Sequence, residues 1–287
     1  LIIKSEILDY SHHSSGRSHI FNNPEKDEIN KYFIIWIGEL EKRSILRNYS
    51  LNYEPIQKFL IESAGIEVFE GFVEPRKEQT DRIRPDISRI QSDIDCNIFY
   101  NLHGSVYWQV DYYNPNSLTP PEIRLSLFPS LIDADSQSPD LQLNRGEELR
   151  IRNIITGYQK AVKTFVPPFR QMHASFDRDC IMADEIYIIG YSFGDENINQ
   201  SLKSAIRYNP NVKFIIVDPG FQSNNIDNFL LFNFSPIIYN QASQTPTPKS
   251  IQGKLMQYSL FDDRMIAYAC RFKEYLESAN TSGNSNN

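Results

Sequence analysis

Apolar residues along this chain recur with two spacings, and the change between them sketches an alternation of helices and strands. From Glu28 to Arg43, Ile29, Tyr32, Phe33, Trp36, Ile37 and Leu40 recur every three or four residues, which predicts a helix. Ile45 to Leu51, with Leu46, Tyr49 and Leu51, reads as a strand running into Asn52-Tyr53-Glu54-Pro55. Pro55 suits the first turn of a helix carrying Ile56, Phe59, Leu60 and Ile61, which Gly65 ends. Ile66 to Val73 is a second strand. This β-α-β rhythm with short joints points to a parallel sheet flanked by helices.

Glu74 to Ser92 is charged and broken by Pro75 and Pro85, so it reads as a surface excursion. The apolar run Ile98-Phe99-Tyr100 then leads into Asn101-Leu102-His103-Gly104-Ser105, with Tyr107 to Tyr113 as its hairpin partner. Asn114 to Asp140 holds five prolines and little periodicity, as a lid-like loop or an insertion would. A short strand is expected within Glu147 to Ile155, and a helix over Phe169 to Ala183. The clearest unit follows. A buried strand, Glu185 to Tyr191, enters the turn Gly190-Tyr191-Ser192-Phe193-Gly194-Asp195. A helix then runs from Glu196 to Tyr208 with Asp195 as its N-cap. Pro210 closes it before the strand Val212 to Val217 and the loop Asp218-Pro219-Gly220. Beyond this unit, Asn225 to Phe234 and Asp262 to Glu277 read as helices and Pro236 to Tyr239 as a short strand. Residues 5–30 read as a polar loop and the stretch from Ser278 as a Ser/Asn/Gly tail. The expected fold is α/β: a Rossmann-like parallel sheet with helices on both faces and irregular insertions. It forms one domain over residues 1–278, with a disordered tail over 279–287.

Composition changes this picture in a few respects. The 287 residues suffice for one large domain or two ordinary ones, and 40% hydrophobic with 23% charged residues is ordinary globular usage. A net charge of −7 argues against a chain held on nucleic acid by electrostatics. No apolar run approaches the roughly 20 residues of a membrane span. The three cysteines, Cys96, Cys180 and Cys270, form no paired C-x-x-C, so a structural zinc ribbon is not expected and a reducing cytoplasm is. No metal site is expected. The chain starts with Leu1, which suggests that the natural N-terminus lies upstream.

Candidate chemistry gathers at the ends of the expected strands. Taken alone, a histidine between aromatic runs, such as His103, is more often a packed or hydrogen-bonded structural residue. The other histidines are less promising, since His12, His13 and His19 lie in the polar stretch and His173 in the expected helix. In open parallel sheets, ligands sit outside the carboxyl ends of the strands, and Asn52, His103, the Gly190–Asp195 turn and Asp218 all belong there. Gly190 and Gly194 would let backbone approach a phosphate or ribose, or would serve only a tight turn. The helix from Glu196 offers free N–H groups to negative charge. Asp218 would bind a ribose hydroxyl, or merely cap its loop.

Leu51-Asn52-Tyr53-Glu54, Leu102-His103-Gly104-Ser105, Ile188 to Asp195 and Ile216-Val217-Asp218-Pro219 together resemble, in order, the motifs of sirtuin-like proteins. They more closely resemble those of the bacterial sirtuin-like NAD hydrolases of antiphage defence, as do Thr156-Gly157-Tyr158 through Pro168-Phe169 and Ala183-Asp184. The resemblance spans roughly residues 45–220. It implies NAD+ as substrate, cleaved at the nicotinamide–ribose bond. Asn52 matches the asparagine that positions water or sugar, and His103 the catalytic histidine near the nicotinamide ribose. Gly190 and Ser192 match the cofactor-contacting glycine and serine, and Asp218 the polar residue against the adenosine ribose. The resemblance also implies self-assembly or a regulatory partner, such as an ATPase or an Argonaute-like protein.

Three departures qualify the match. Glu54 stands where an aspartate is usual. The zinc-binding cysteine quartet of protein deacylases is absent, which disfavours the rival reading of an NAD-dependent deacylase. The glycine-rich pyrophosphate loop is not recognisable, and Gly16-Arg17-Ser18 is a poor candidate for it. Either that loop precedes Leu1 or NAD+ is not bound in the usual way. A non-catalytic subunit that binds NAD+ or ADP-ribose is the third reading.

Overall fold

The computed structural model describes residues 24–74, 82–111, 122–126, 140–142, 148–150, 154–155, 164–221, 248–251, 255–260 and 264–283. The expected polar loop up to residue 23, the segment Thr156 to Tyr158, the helix Asn225 to Phe234 and the strand Pro236 to Tyr239 lie outside the described residues. So do His12, His13, His19 and Gly16. The chain is mixed α/β with parallel strand pairs, and it divides into two compact units, Leu1–Ser175 and Phe176–Asn287.

The first unit opens with helix α1, Pro24–Glu41, whose stripe of Phe33, Ile37 and Leu40 is buried as the spacing requires. Strand β1, Arg47–Ser50, leads through the Asn52–Pro55 loop into helix α2, Ile56–Ser63, which buries Ile56 and Ile61. The strand expected over Ile66 to Val73 is reduced to two isolated bridges, Phe69 parallel to Ile98 and Phe72 antiparallel to Pro85. Gly71 separates them at φ +93°, a left-handed conformation that turns the chain off the ladder. A Cβ at this position would collide with the terminal methyl of Met172, which is itself fully buried. Gly71→Ala is therefore expected to destabilise the protein by about 1–3 kcal/mol, from backbone strain together with overpacking. A urea unfolding curve would check this, and an unchanged midpoint would refute it.

The surface excursion expected over Glu74 to Ser92 is corrected in its second half. Arg82–Ile83 forms strand β2 and Ile87–Ser92 forms helix α3, capped where the Asp86 carboxylate accepts from the Arg89 N–H at 3.1 Å. Ile83 and Ile90 are fully buried, so this segment closes the core and does not float above it. Strand β3, Ile98–Asn101, is buried along its whole length and pairs in parallel with β1 in the register Arg47–Ile98 to Ser50–Asn101. Strand β4, Trp108–Asp111, is not the hairpin partner of β3. It pairs antiparallel with β5, Glu122–Ser126, which lies inside the stretch expected to be a lid or an insertion, and β5 continues to β2. Strands β6, Asp140–Gln142, and β7, Glu148–Arg150, form a separate antiparallel pair. Trp108 joins these parts, with its ring 5.5 Å from that of Phe72 and 5.3 Å from that of Phe169. Phe169 opens helix α4, Phe169–Met182, within which the division between the units falls.

The second unit contains strand β8, Glu185–Ile189, helix α5, Glu196–Tyr208, and strand β9, Lys213–Val217, at the expected places, but β8, expected to be buried, is half-buried except at Ile188. Strands β10, Pro248–Ile251, and β11, Leu255–Leu260, follow. The helix expected over Asp262 to Glu277 is instead strand β12, Met265–Tyr268, and then helix α6, Phe272–Gly283. Met-Ile-Ala-Tyr is too short an apolar run for its periodicity to separate helix from strand. Pairing with β9 decides it. The helix also carries the chain past Ser278, so residues 279–283 are helical and not a tail. Sheet order is β10-β11-β12-β9-β8, with β8, β9 and β12 parallel and β10 and β11 antiparallel. Strand β9 has a neighbour on each side and is buried from Phe214 to Val217, which accounts for its unbroken apolar run. Among the described residues, no helix is long and apolar enough to cross a membrane.

Candidate functional site

In the first unit, two candidate residues lie at the carboxyl ends of neighbouring parallel strands. Asn52 follows β1 and His103 follows β3, each two residues after the paired positions Ser50 and Asn101. Hydrogen bonds fasten the two loops to one another. Asn101 Nδ2 donates to the Asn52 carbonyl at 3.0 Å, and the Tyr53 carbonyl accepts from the Val106 N–H at 3.1 Å and from Ser105 Oγ at 3.3 Å. The Leu102 N–H donates to the Ser50 carbonyl at 2.9 Å, carrying the β1–β3 alignment one step past the strands. His103 is buried, at 6% exposure, and its carbonyl accepts from the Ile155 N–H at 2.8 Å. Tyr53 Oη donates to the Ile155 carbonyl at 3.2 Å, so one residue, Ile155, braces both loops. Gly104 takes φ +89°, which a residue with a side chain reaches only with strain, and its N–H returns to the Asn101 carbonyl. Asn52 is exposed. One loop thus offers an amide to solvent while the other holds an imidazole at the edge of the core.

Glu54, noted in the sequence only as a departure, belongs to this arrangement. Its carboxylate accepts from the Ile56 N–H at the start of α2 at 2.5 Å and from the Asn52 side chain. Burial holds its pKa above the ordinary 4.5, against the opposing pull of those two hydrogen bonds. A raised carboxyl pKa means that the native state resists ionising the group. The stability supplied by the neutral form is complete below pH 4.5 and is lost as pH rises through the native value. Glu54→Gln mimics the neutral form. It is expected to exceed the wild type in stability at neutral pH and to converge with it below about pH 4.5, as urea midpoints against pH would read. Helix α2 is anchored by Lys58, which bridges Glu70 at 2.5 Å and Glu62 at 3.4 Å.

The other three candidates, Gly190, Ser192 and Asp218, lie in the second unit. The pairing of Ile189 with Val217 brings Gly190 and Asp218 to adjacent positions past the ends of β8 and β9, and the Gly190 N–H donates to the Val217 carbonyl at 3.2 Å. Gly190 needs its glycine for φ +62°, while Gly194 carries no positive φ. Phe193, buried at φ +57°, is the strained residue of the turn. Buried Asn199 holds that conformation, donating to the Phe193 carbonyl at 2.8 Å and accepting from Tyr191 Oη at 2.8 Å. Burial pushes the Tyr191 hydroxyl well above its ordinary pKa, so it acts as a neutral donor. Ser192 is exposed on the turn so formed. Asp195 caps α5 as expected, accepting from the Asn197 N–H at 3.1 Å. Asp218 Oδ1 accepts from the Gly220 N–H at 2.6 Å, which is the loop-capping alternative, and its own N–H donates to the Tyr268 carbonyl at 3.2 Å. Periodicity did not disclose that last neighbour. The end of β12, with Cys270 beyond it, lies beside Asp218.

One residue of the first unit escaped the sequence reading. His173 of α4 places Nε2 3.0 Å from the Leu102 carbonyl, immediately before His103. Seventy-one residues separate the partners, and no local pattern marks such a contact. Among the described residues no three His, Cys, Asp or Glu side chains are grouped as a metal site would need. Compared with protein-family models and with curated proteins, the chain matches none.

Proposed function

We propose that the chain hydrolyses NAD+ at the nicotinamide–ribose bond, and that its α/β fold is of the Rossmann-like, sirtuin-like kind. In this reaction NAD+ and water give nicotinamide, ADP-ribose and a proton. The C–N bond to nicotinamide breaks with its electron pair leaving on the pyridine nitrogen, and a water oxygen bonds to the anomeric carbon and sheds its proton. The observation that carries the reading is the pair of strand-end loops tied together at β1 and β3, with Asn52 on one and His103 on the other. Exposed Asn52 suits the holding of a water, and buried His103 suits the polarising of a ribose hydroxyl. Gly190, Ser192 and Asp218 are assigned to the nucleotide. In support stand the open turn at Gly190, where a Cβ would meet nothing within 4 Å, and the exposure of Ser192.

The same reading makes the chain a cytoplasmic effector of antiphage defence that depletes NAD+, acting as a homo-oligomer or under a partner such as an ATPase or an Argonaute-like protein. The test is release of nicotinamide from NAD+ by the purified protein, followed by chromatography, with an acetyl-lysine peptide in a parallel reaction. Nicotinamide and ADP-ribose in equal amounts, independent of peptide, support hydrolysis. Peptide-dependent release supports the deacylase, against which the three unpaired cysteines already stand. Binding of NAD+ or ADP-ribose without turnover supports a non-catalytic subunit.

A further inference from the structure

We infer that His173 is a positioning residue for His103, acting through the backbone carbonyl of Leu102. The inference rests on the reading of His103 as the ribose-directed group. Leu102 lies one residue past the last paired residues of β1 and β3, Ser50 and Asn101, so its carbonyl is outside that ladder. The residue is 1% exposed, so its carbonyl needs a partner from the protein. His173 supplies one at 3.0 Å. A carbonyl oxygen only accepts, so the hydrogen of this bond resides on Nε2, and the partner fixes the tautomer of the imidazole. With His173 on the Leu102 carbonyl and the Ile155 N–H on the His103 carbonyl, the peptide groups on both sides of the His103 Cα are fastened, and the Leu102 N–H on the Ser50 carbonyl holds the peptide before them. His173 holds one of those points from a helix, α4. It contributes to the direction in which the His103 side chain leaves the backbone, and touches no substrate itself.

Two substitutions separate this role from bulk packing. His173→Phe keeps a ring and removes the donor, while His173→Gln returns an N–H near the position of Nε2. Protein carrying His173→Phe is expected to lose about 10–10²-fold in the kcat of NAD+ hydrolysis, with KM within about twofold, as a displaced catalytic group does. His173→Gln should recover to within a few-fold of wild type. A readout independent of turnover is the nitrogen and proton resonances of 15N-histidine-labelled protein. Wild-type His173 should show the Nε2–H form. The His103 ring signals should shift in the phenylalanine variant and return in the glutamine variant. Unmoved His103 signals in His173→Phe, a His173 ring protonated at Nδ1 only, a rise confined to KM, or a glutamine variant as defective as phenylalanine would each overturn the inference. Should the wild type release no nicotinamide, the NAD+ reading fails alone and the resonances still decide the role of His173. Should His173→Phe not fold, the wild-type tautomer and the glutamine variant decide it.

Discussion

Protein carrying His103→Ala is expected to release nicotinamide from NAD+ about 10²–10⁴-fold more slowly than the wild type, and Asn52→Ala is expected to be similarly silent. That range corresponds to about 3–5 kcal/mol of transition-state stabilisation, which is what one well-placed general acid–base group supplies. Both substitutions leave the supporting backbone bonds in place, because the loops are held through main-chain groups. The Asn52 carbonyl, the Tyr53 carbonyl, the Leu102 N–H and the His103 carbonyl keep their partners when either side chain is cut back. Circular dichroism should therefore report a folded chain in both variants while chromatography reports the lost product. Wild-type turnover in either folded variant would remove that residue from the mechanism.

The second large effect concerns stability. Tyr100→Ala is expected to cost about 3–5 kcal/mol, a substantial share of the roughly 5–15 kcal/mol by which a domain is stable. Tyr100 is fully buried on β3, and its ring packs edge-on against Tyr49 of β1 at 5.8 Å and Phe69 at 6.1 Å. Truncation empties the position where β1, β3 and the Phe69 bridge meet. Tyr100→Phe keeps both edge-on ring contacts and should cost far less than the alanine variant. Urea midpoints of the two variants would check the difference, and a mild alanine variant would show that this aromatic cluster is not what holds the strand pair. Because β3 leads into the His103 loop, the alanine variant should also lose activity, but together with a lowered urea midpoint. That outcome contrasts with His103→Ala, which should be inactive while folded.

Periodicity made several parts of this protein legible. The α1 stripe, the helix after Pro55, the strand Ile98–Asn101 and the β8-α5-β9 unit with its Asp195 cap each follow from local rules. A 3.6-residue repeat, a proline before a helix, an apolar run of strand length and an acceptor side chain before a first turn all act within a few residues. The neighbouring placement of Asn52 with His103, and of Gly190 with Asp218, was anticipated only as the general expectation that strand ends share an edge. The register of β1 with β3 and of β8 with β9 made it specific.

Errors arose where a residue's state depends on partners distant in sequence. Ile83 and Ile90 sit in charged, proline-broken sequence, yet they are fully buried because the core has room for them. Met265 to Tyr268 became a strand because β9 had an open edge, and Phe69 and Phe72 remained isolated bridges because Gly71 turns the chain between them. Local composition carries no record of such pairings.

The sequence by itself determined which chemical groups stand at strand ends: the amide of Asn52, the imidazole of His103, the glycine of Gly190, the hydroxyl of Ser192 and the carboxylate of Asp218. Tertiary structure alone decided how each is held. It bound Glu54 to the Asn52 loop, spent one oxygen of Asp218 on its own turn, and brought His173 to the carbonyl before His103. The physical reason is range. Backbone propensity and side-chain spacing act over a few residues, whereas a buried carbonyl takes whichever donor the fold brings within about 3 Å.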